Sequence, residues 1–114
     1  MTLDEHIELA EKSQDPEVLD RLSRDENFWV RFHVAKNPNT PIDILARLSG
    51  DEDRDVRQGV TENPNTPVEA LDRLSRDEEE WVRSRVAWHS KWLAVQKSGL
   101  FDVARLASKW LGIL

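Results

Sequence analysis

The chain has 114 residues and a mass of 13.2 kDa, one domain's worth of polypeptide, with 39% hydrophobic and 33% charged residues. That mix suits a thin, surface-rich solenoid better than a globule with one thick core. Without cysteine there are no disulfides, thiolate zinc sites, iron–sulfur clusters or cysteine nucleophiles, and His6, His33 and His89 lie too far apart to form an i,i+4 metal pair.

No segment approaches the roughly 20 apolar residues of a membrane span, and the start, MTLDEHIELAEK, is too acidic for a signal peptide. The expectation is a cytoplasmic protein. The net charge of −6 is split: residues 1–80 carry 21 acids and 10 bases, whereas residues 81–114 carry one acid and six bases. The acidic part repels nucleic acid, whose binding rests on neutralised phosphates.

Residues 1–14 read as an N-terminal cap, with Thr2 and Glu5 spaced as a capping box and Ile7, Leu9 and Ala10 facing inward. Three units follow over 15–40, 41–66 and 67–90. Leu19, Leu45 and Leu71 recur every 26 residues, as do Leu22, Leu48 and Leu74, and Val30, Val56 and Val82, and Val34, Val60 and Val86. The phrase Asn-Pro-Asn-Thr-Pro occurs at 37–41 and again at 63–67. Each unit reads as two short helices. Asp15, Thr40 and Thr66 precede prolines and are expected to cap the first helix, Thr66 in a capping box with Glu69. Leucines three apart line that helix, and valines four apart line the second. The second helix should end near Asn37 and Asn63, because a residue before proline is pushed out of the helical region.

After Val86-Ala87 the Asn-Pro of the earlier units becomes His89-Ser90, so the last helix is expected to run on through Val95. Residues 91–114 read as C-terminal capping helices. In the final one Leu100, Val103, Leu106, Trp110 and Leu111 lie on a broad apolar face, expected to bury near Val86 and Trp88. A homodimer through this helix and an interfacial membrane helix are the alternatives.

The pattern Pro-x3-Leu-x2-Leu-x2-Asp-x4-Val-Arg-x2-Val-Ala-x-Asn-Pro-x-Thr, over about residues 15–90, resembles the leucine-rich repeat variant, a relative of HEAT-like repeats. The resemblance implies an all-α, short right-handed solenoid with partly 3₁₀ helices and no common enzymatic activity. It also implies a polar ladder of an Asp six residues before an Arg: Asp25/Arg31, Asp51/Arg57 and Asp77/Arg83. The cysteine cluster that holds an iron–sulfur centre in one member has no counterpart, so no cofactor is carried over.

A carboxylate–guanidinium pair in every unit suits stacking rather than catalysis, which needs one site. The acidic runs at 51–55 and 77–80 lack the glycine turn and ligand offsets of a calcium loop. His33 and His89 have no nucleophile or oxyanion element nearby in sequence. Phe28, Trp29 and Phe32 align with Arg54, Asp55 and Gln58, then with Glu80, Trp81 and Ser84. Residue types that swap between aromatic and charged in register belong to an edge or outer face. Phe28, Trp29, Phe32, Trp81 and Arg85 are therefore the expected contact residues for a protein partner. The expectation is a non-enzymatic interaction module without metal or cofactor. The alternatives are a HEAT-like nucleic-acid or DNA-repair protein and a membrane-peripheral adaptor docked through the basic, Trp-bearing tail.

Overall fold

The computed structural model describes residues 1–89 and 91–94. Among these, seven α-helices follow in order: α1 (Leu3–Lys12), α2 (Pro16–Leu22), α3 (Phe28–Lys36), α4 (Ile42–Leu48), α5 (Arg54–Glu62), α6 (Val68–Leu74) and α7 (Glu80–Ala87). Residues 91–94 are also helical, and there are no strands among the described residues. The expected capping helix over 100–114, its burial and any dimer through it lie outside the described residues.

The helices sort into two layers. α1, α3, α5 and α7 stack face to face in that order, while α2, α4 and α6 each lie against the second helix of their own unit and α4 also meets α6. This is an all-helical repeat solenoid. Its core is the periodic set: Leu19, Leu71, Val30, Val56, Val82, Val34, Val60 and Val86 are buried in one continuous cluster, extended by Ala10 of α1 and by Trp92. Two short helices per unit cannot bury their apolar faces alone, so each unit depends on its neighbours.

The helix starts divide into two kinds. Thr2 accepts from the Glu5 amide while Glu5 reaches back to the Thr2 amide, a complete capping box. Asp15, Asn27 and Asp53 cap α2, α3 and α5 through their side chains. Thr40 and Thr66 do not cap. α4 and α6 begin one residue later than the sequence suggests, with Pro41 and Pro67 in the cap position. The buried threonine hydroxyls donate backwards, at 2.6 Å, to the Val34 and Val60 carbonyls of the preceding helix. They give a second hydrogen bond to carbonyls that already accept from the Asn37 and Asn63 amides, instead of holding amides at the next start.

Two further expectations are corrected. The helices are α throughout the described residues, rather than partly 3₁₀. The last helix does not run on: α7 ends at Ala87, Trp88 forms the turn, and His89 begins the next helical stretch by accepting from the Leu93 amide. Gly59 packs closely against α3. A Cβ there would stand 3.1 Å from Ala35 Cβ and 3.2 Å from both the Phe32 ring and carbonyl. The equivalent positions are His33 and Arg85, which carry full side chains.

Candidate protein-binding face

Two polar ladders hold the stack and thereby position its outer surface. In the first, Arg31 spans units. Its Nε and Nη2 donate to Asp51 of the next unit at 2.9 and 3.2 Å, while Nη1 donates to the Asp25 and Glu26 carbonyls at 2.7 and 3.1 Å. Arg57 repeats every contact one unit on, with Asp77 and the Asp51 and Glu52 carbonyls. The Asp six residues before each Arg thus supplies a backbone carbonyl, and the Asp 20 residues after it supplies the carboxylate. The hydrogen bonds to Asp51 raise the pKa of Arg31 against the opposing effect of burial. Each Asp also turns its own loop, accepting from the amide two residues on in Asn27, Asp53 and Glu79.

The ladder's ends differ. The position 20 residues before Asp25 is Glu5 rather than arginine, and Asp25 instead has His6 of α1 at 3.9 Å. Arg83 is exposed and donates to the Asp77 carbonyl.

The second ladder is one that the sequence motifs do not announce. Asn37 donates through Nδ2 to the Ala10 and Ser13 carbonyls, both at 2.9 Å. Asn63 does the same to Ala35 and Asn37, both at 2.8 Å. Each Oδ1 accepts from the amide two residues on. The signal is the 26-residue recurrence of Asn37 and Asn63, which on sequence alone reads as a loop that only reverses the chain.

With the stack fixed, one register of α3, α5 and α7 faces outward. Trp29 lies parallel to Phe32, with centroids 4.8 Å apart, and Phe28 and His33 meet the Trp29 ring edge-on at 5.8 and 5.4 Å. Lys36 sits over the Phe32 ring at 5.3 Å. On α7, Arg85 lies over Trp81 at 4.8 Å, and the Trp81 indole N–H donates to Gln58 of α5. Phe28, Trp29 and Trp81 remain 40%, 42% and 53% exposed. Phe32 is partly buried and packs against the core.

Glu62 of α5 is the electrostatic centre of this face. It accepts from Gln58 at 3.0 Å and pairs with Lys36 of α3 at 3.3 Å and Arg85 of α7 at 3.6 Å. Burial lowers the pKa of His33; Glu11 of α1 opposes that shift and Lys36 adds to it. Charge therefore alternates down the face from Glu11 to Lys36, Glu62 and Arg85. At its lower end a cleft of about 370 Å³ is lined by Thr61, Glu62, Pro64, Arg85, Trp88 and His89, with Trp88 82% exposed.

All five expected contact residues thus lie on the outer side of the α3–α5–α7 layer. Gln58, Lys36, Glu62 and Trp88 join them there, beyond what the sequence reading picks out. Their signal is the 26-residue register of Lys36, Glu62 and Trp88. Among the described residues no group of three or more His, Asp or Glu side chains converges as a metal set. No helix among them is long and apolar enough to cross a membrane.

The stacked helix pairs and their ladders define a helical-repeat protein. Residues 28–53 and 54–79 each match the family model of the leucine rich repeat variant, so 28–79 are two consecutive repeats of that family. The matched units start at the second helix of one pair and end before the second helix of the next. They keep the same 26-residue period in a shifted frame. No curated protein and no solved structure matches the chain.

Proposed function

We propose that this chain is a non-enzymatic protein-interaction module of the cytoplasm, and that its docking surface is the outer face of α3, α5 and α7. The observation that carries the reading is the set of exposed aromatic residues, Phe28/Trp29 and Trp81/Trp88, at either end of a strip in which Glu62 links Lys36 and Arg85. Rigid, exposed Trp with adjacent Arg is the composition of contact hot spots. The balance of 21 acids to 10 bases over residues 1–80 weighs against a nucleic-acid partner.

Affinity capture from the native cell, with the wild type beside a Trp29→Ala/Trp81→Ala double variant, tests this. The expected result is a stoichiometric protein partner retained by the wild type and lost by the variant, with circular dichroism unchanged. A partner retained equally by both proteins would remove the face. A low-salt DNA shift or binding to anionic liposomes with no protein partner would move the reading to the nucleic-acid or membrane alternative.

A further inference from the structure

His89 stands in the same register as Asn37 and Asn63 and repeats their hydrogen bonding with a ring. Its Nε2 lies 2.9 Å from the Asn63 carbonyl, where Asn63 Nδ2 meets the Asn37 carbonyl at 2.8 Å. Its Nδ1 accepts from the Lys91 amide at 3.1 Å, two residues on, as Asn63 Oδ1 accepts from the Asn65 amide at 2.9 Å. The carbonyl cannot donate and the amide cannot accept, so the two partners select one species: neutral imidazole with its proton on Nε2. The ring is buried, and so is its contact with the Asn63 carbonyl, while the Lys91 amide bond is partly buried.

We infer that His89 is a proton-sensitive latch, which joins the chain after α7 to the second unit while neutral and releases that junction when protonated. A second proton has only Nδ1 to occupy, which sets an N–H against the Lys91 N–H at hydrogen-bond distance. Charged groups stand on the elements packed about the ring. From its own segment Lys91 faces it, the ammonium held on the Thr66 carbonyl at 3.0 Å. From α7 comes Arg85 and from α5 comes Glu62, both lining the cleft with His89. Glu62 is the one acid of this set, and it is already shared between Lys36 and Arg85.

An asparagine carries the same acceptor and the same donor without a titrating site. Its second amide hydrogen would meet the Thr61 carbonyl, the counterpart of the Ala35 carbonyl that Asn63 engages. His89→Asn therefore keeps the latch closed at all pH. This inference stands apart from the docking face, because its readout is the junction itself.

Long-range ¹H–¹⁵N correlation spectra of the His89 ring and hydrogen exchange at the Lys91 amide, on the whole chain, provide the test. At about pH 7.5 the ring is expected as the Nε2–H tautomer, with the amide protected. Once acidification places a second proton on the ring, read from the same spectra, protection corrected for intrinsic exchange should fall by about tenfold or more. In His89→Asn, protection should stay flat over the same range. An Nδ1–H tautomer in the wild type would overturn the inference, and that measurement needs no variant. So would protection that persists once the ring carries two protons, or a fall in protection that the asparagine variant shares.

Discussion

Arg57 and Asp77 belong to different repeat units, 20 residues apart, and meet through two near-parallel hydrogen bonds of 2.8 and 3.3 Å with both side chains about nine-tenths buried. The same guanidinium closes the loop of its own unit through the Asp51 and Glu52 carbonyls. One side chain therefore fixes a loop and the spacing to the next loop together. Its planar fork can reach a carboxylate and a carbonyl in different directions at once, whereas an ammonium is a point charge.

Arg57→Ala should accordingly lower stability by about 3 kcal/mol, because it strands the Asp77 carboxylate and two carbonyls in a buried setting. Arg57→Lys should recover only part of that. Lys12→Ala, which breaks an exposed i,i+4 pair with Glu8, should change stability by no more than about 0.5 kcal/mol. Urea unfolding of the three variants measures the contrast. Equal losses for Arg57→Ala and Lys12→Ala would show that the ladder adds nothing beyond ordinary surface pairing.

What is legible in the sequence is whatever repeats in chemical type. Leu19/Leu45/Leu71 and the valines announce the core because burial demands the same residue in each unit. Arg31 and Arg57 announce a ladder for the same reason. What is not legible is the choice among competing partners of a short polar side chain. Thr40 and Thr66 stand where a helix cap belongs, yet a cap and a backward bond to the preceding helix use the same hydroxyl. The backward bond prevails because each hydroxyl is buried at the end of the preceding helix and has no water to donate to. His89 is hidden for a related reason. Its chemical type differs from Asn while its hydrogen-bonding role is the same, and a pattern read by residue name does not register that.

Asn63 tests the second ladder. It is fully buried, and its amide group satisfies the carbonyls of Ala35 and Asn37 while its oxygen holds the Asn65 amide. Asn63→Ala should cost about 2–4 kcal/mol, since each orphaned buried polar group carries a desolvation penalty of roughly 1–3 kcal/mol. Asn63→Asp separates the two roles. It retains the acceptor for Asn65 but faces two carbonyls with a carboxylate, so it should be at least as damaging near neutral pH. It should recover on acidification, when the carboxyl gains a proton to donate. An Asn63→Asp variant as stable as wild type near neutrality would mean the two carbonyls are satisfied in some other way.

The last prediction concerns pH and His33. Packing edge-on against Trp29 and Phe32 partly buries this ring, and burial lowers its pKa below the ordinary 6.5; Glu11 counteracts the shift and Lys36 reinforces it. As pH falls, the unfolded chain takes up this proton before the folded one does. Between the ordinary value and the lower folded one the unfolded state binds more protons, so stability rises with pH through that window. The contribution is fully present above 6.5 and is lost as pH falls through the folded value. Urea midpoints of wild type and His33→Gln at about pH 7.5 and about pH 5.5 isolate it, because His6 and His89 remain in both proteins. The wild type should lose more stability than the variant over that interval. The variant removes the titrating ring while keeping a polar side chain on the outer face. Identical losses would show that the ring takes up its proton in the fold as readily as in the unfolded chain. The packing of His33 against Trp29 would then offer the ring no shelter from water.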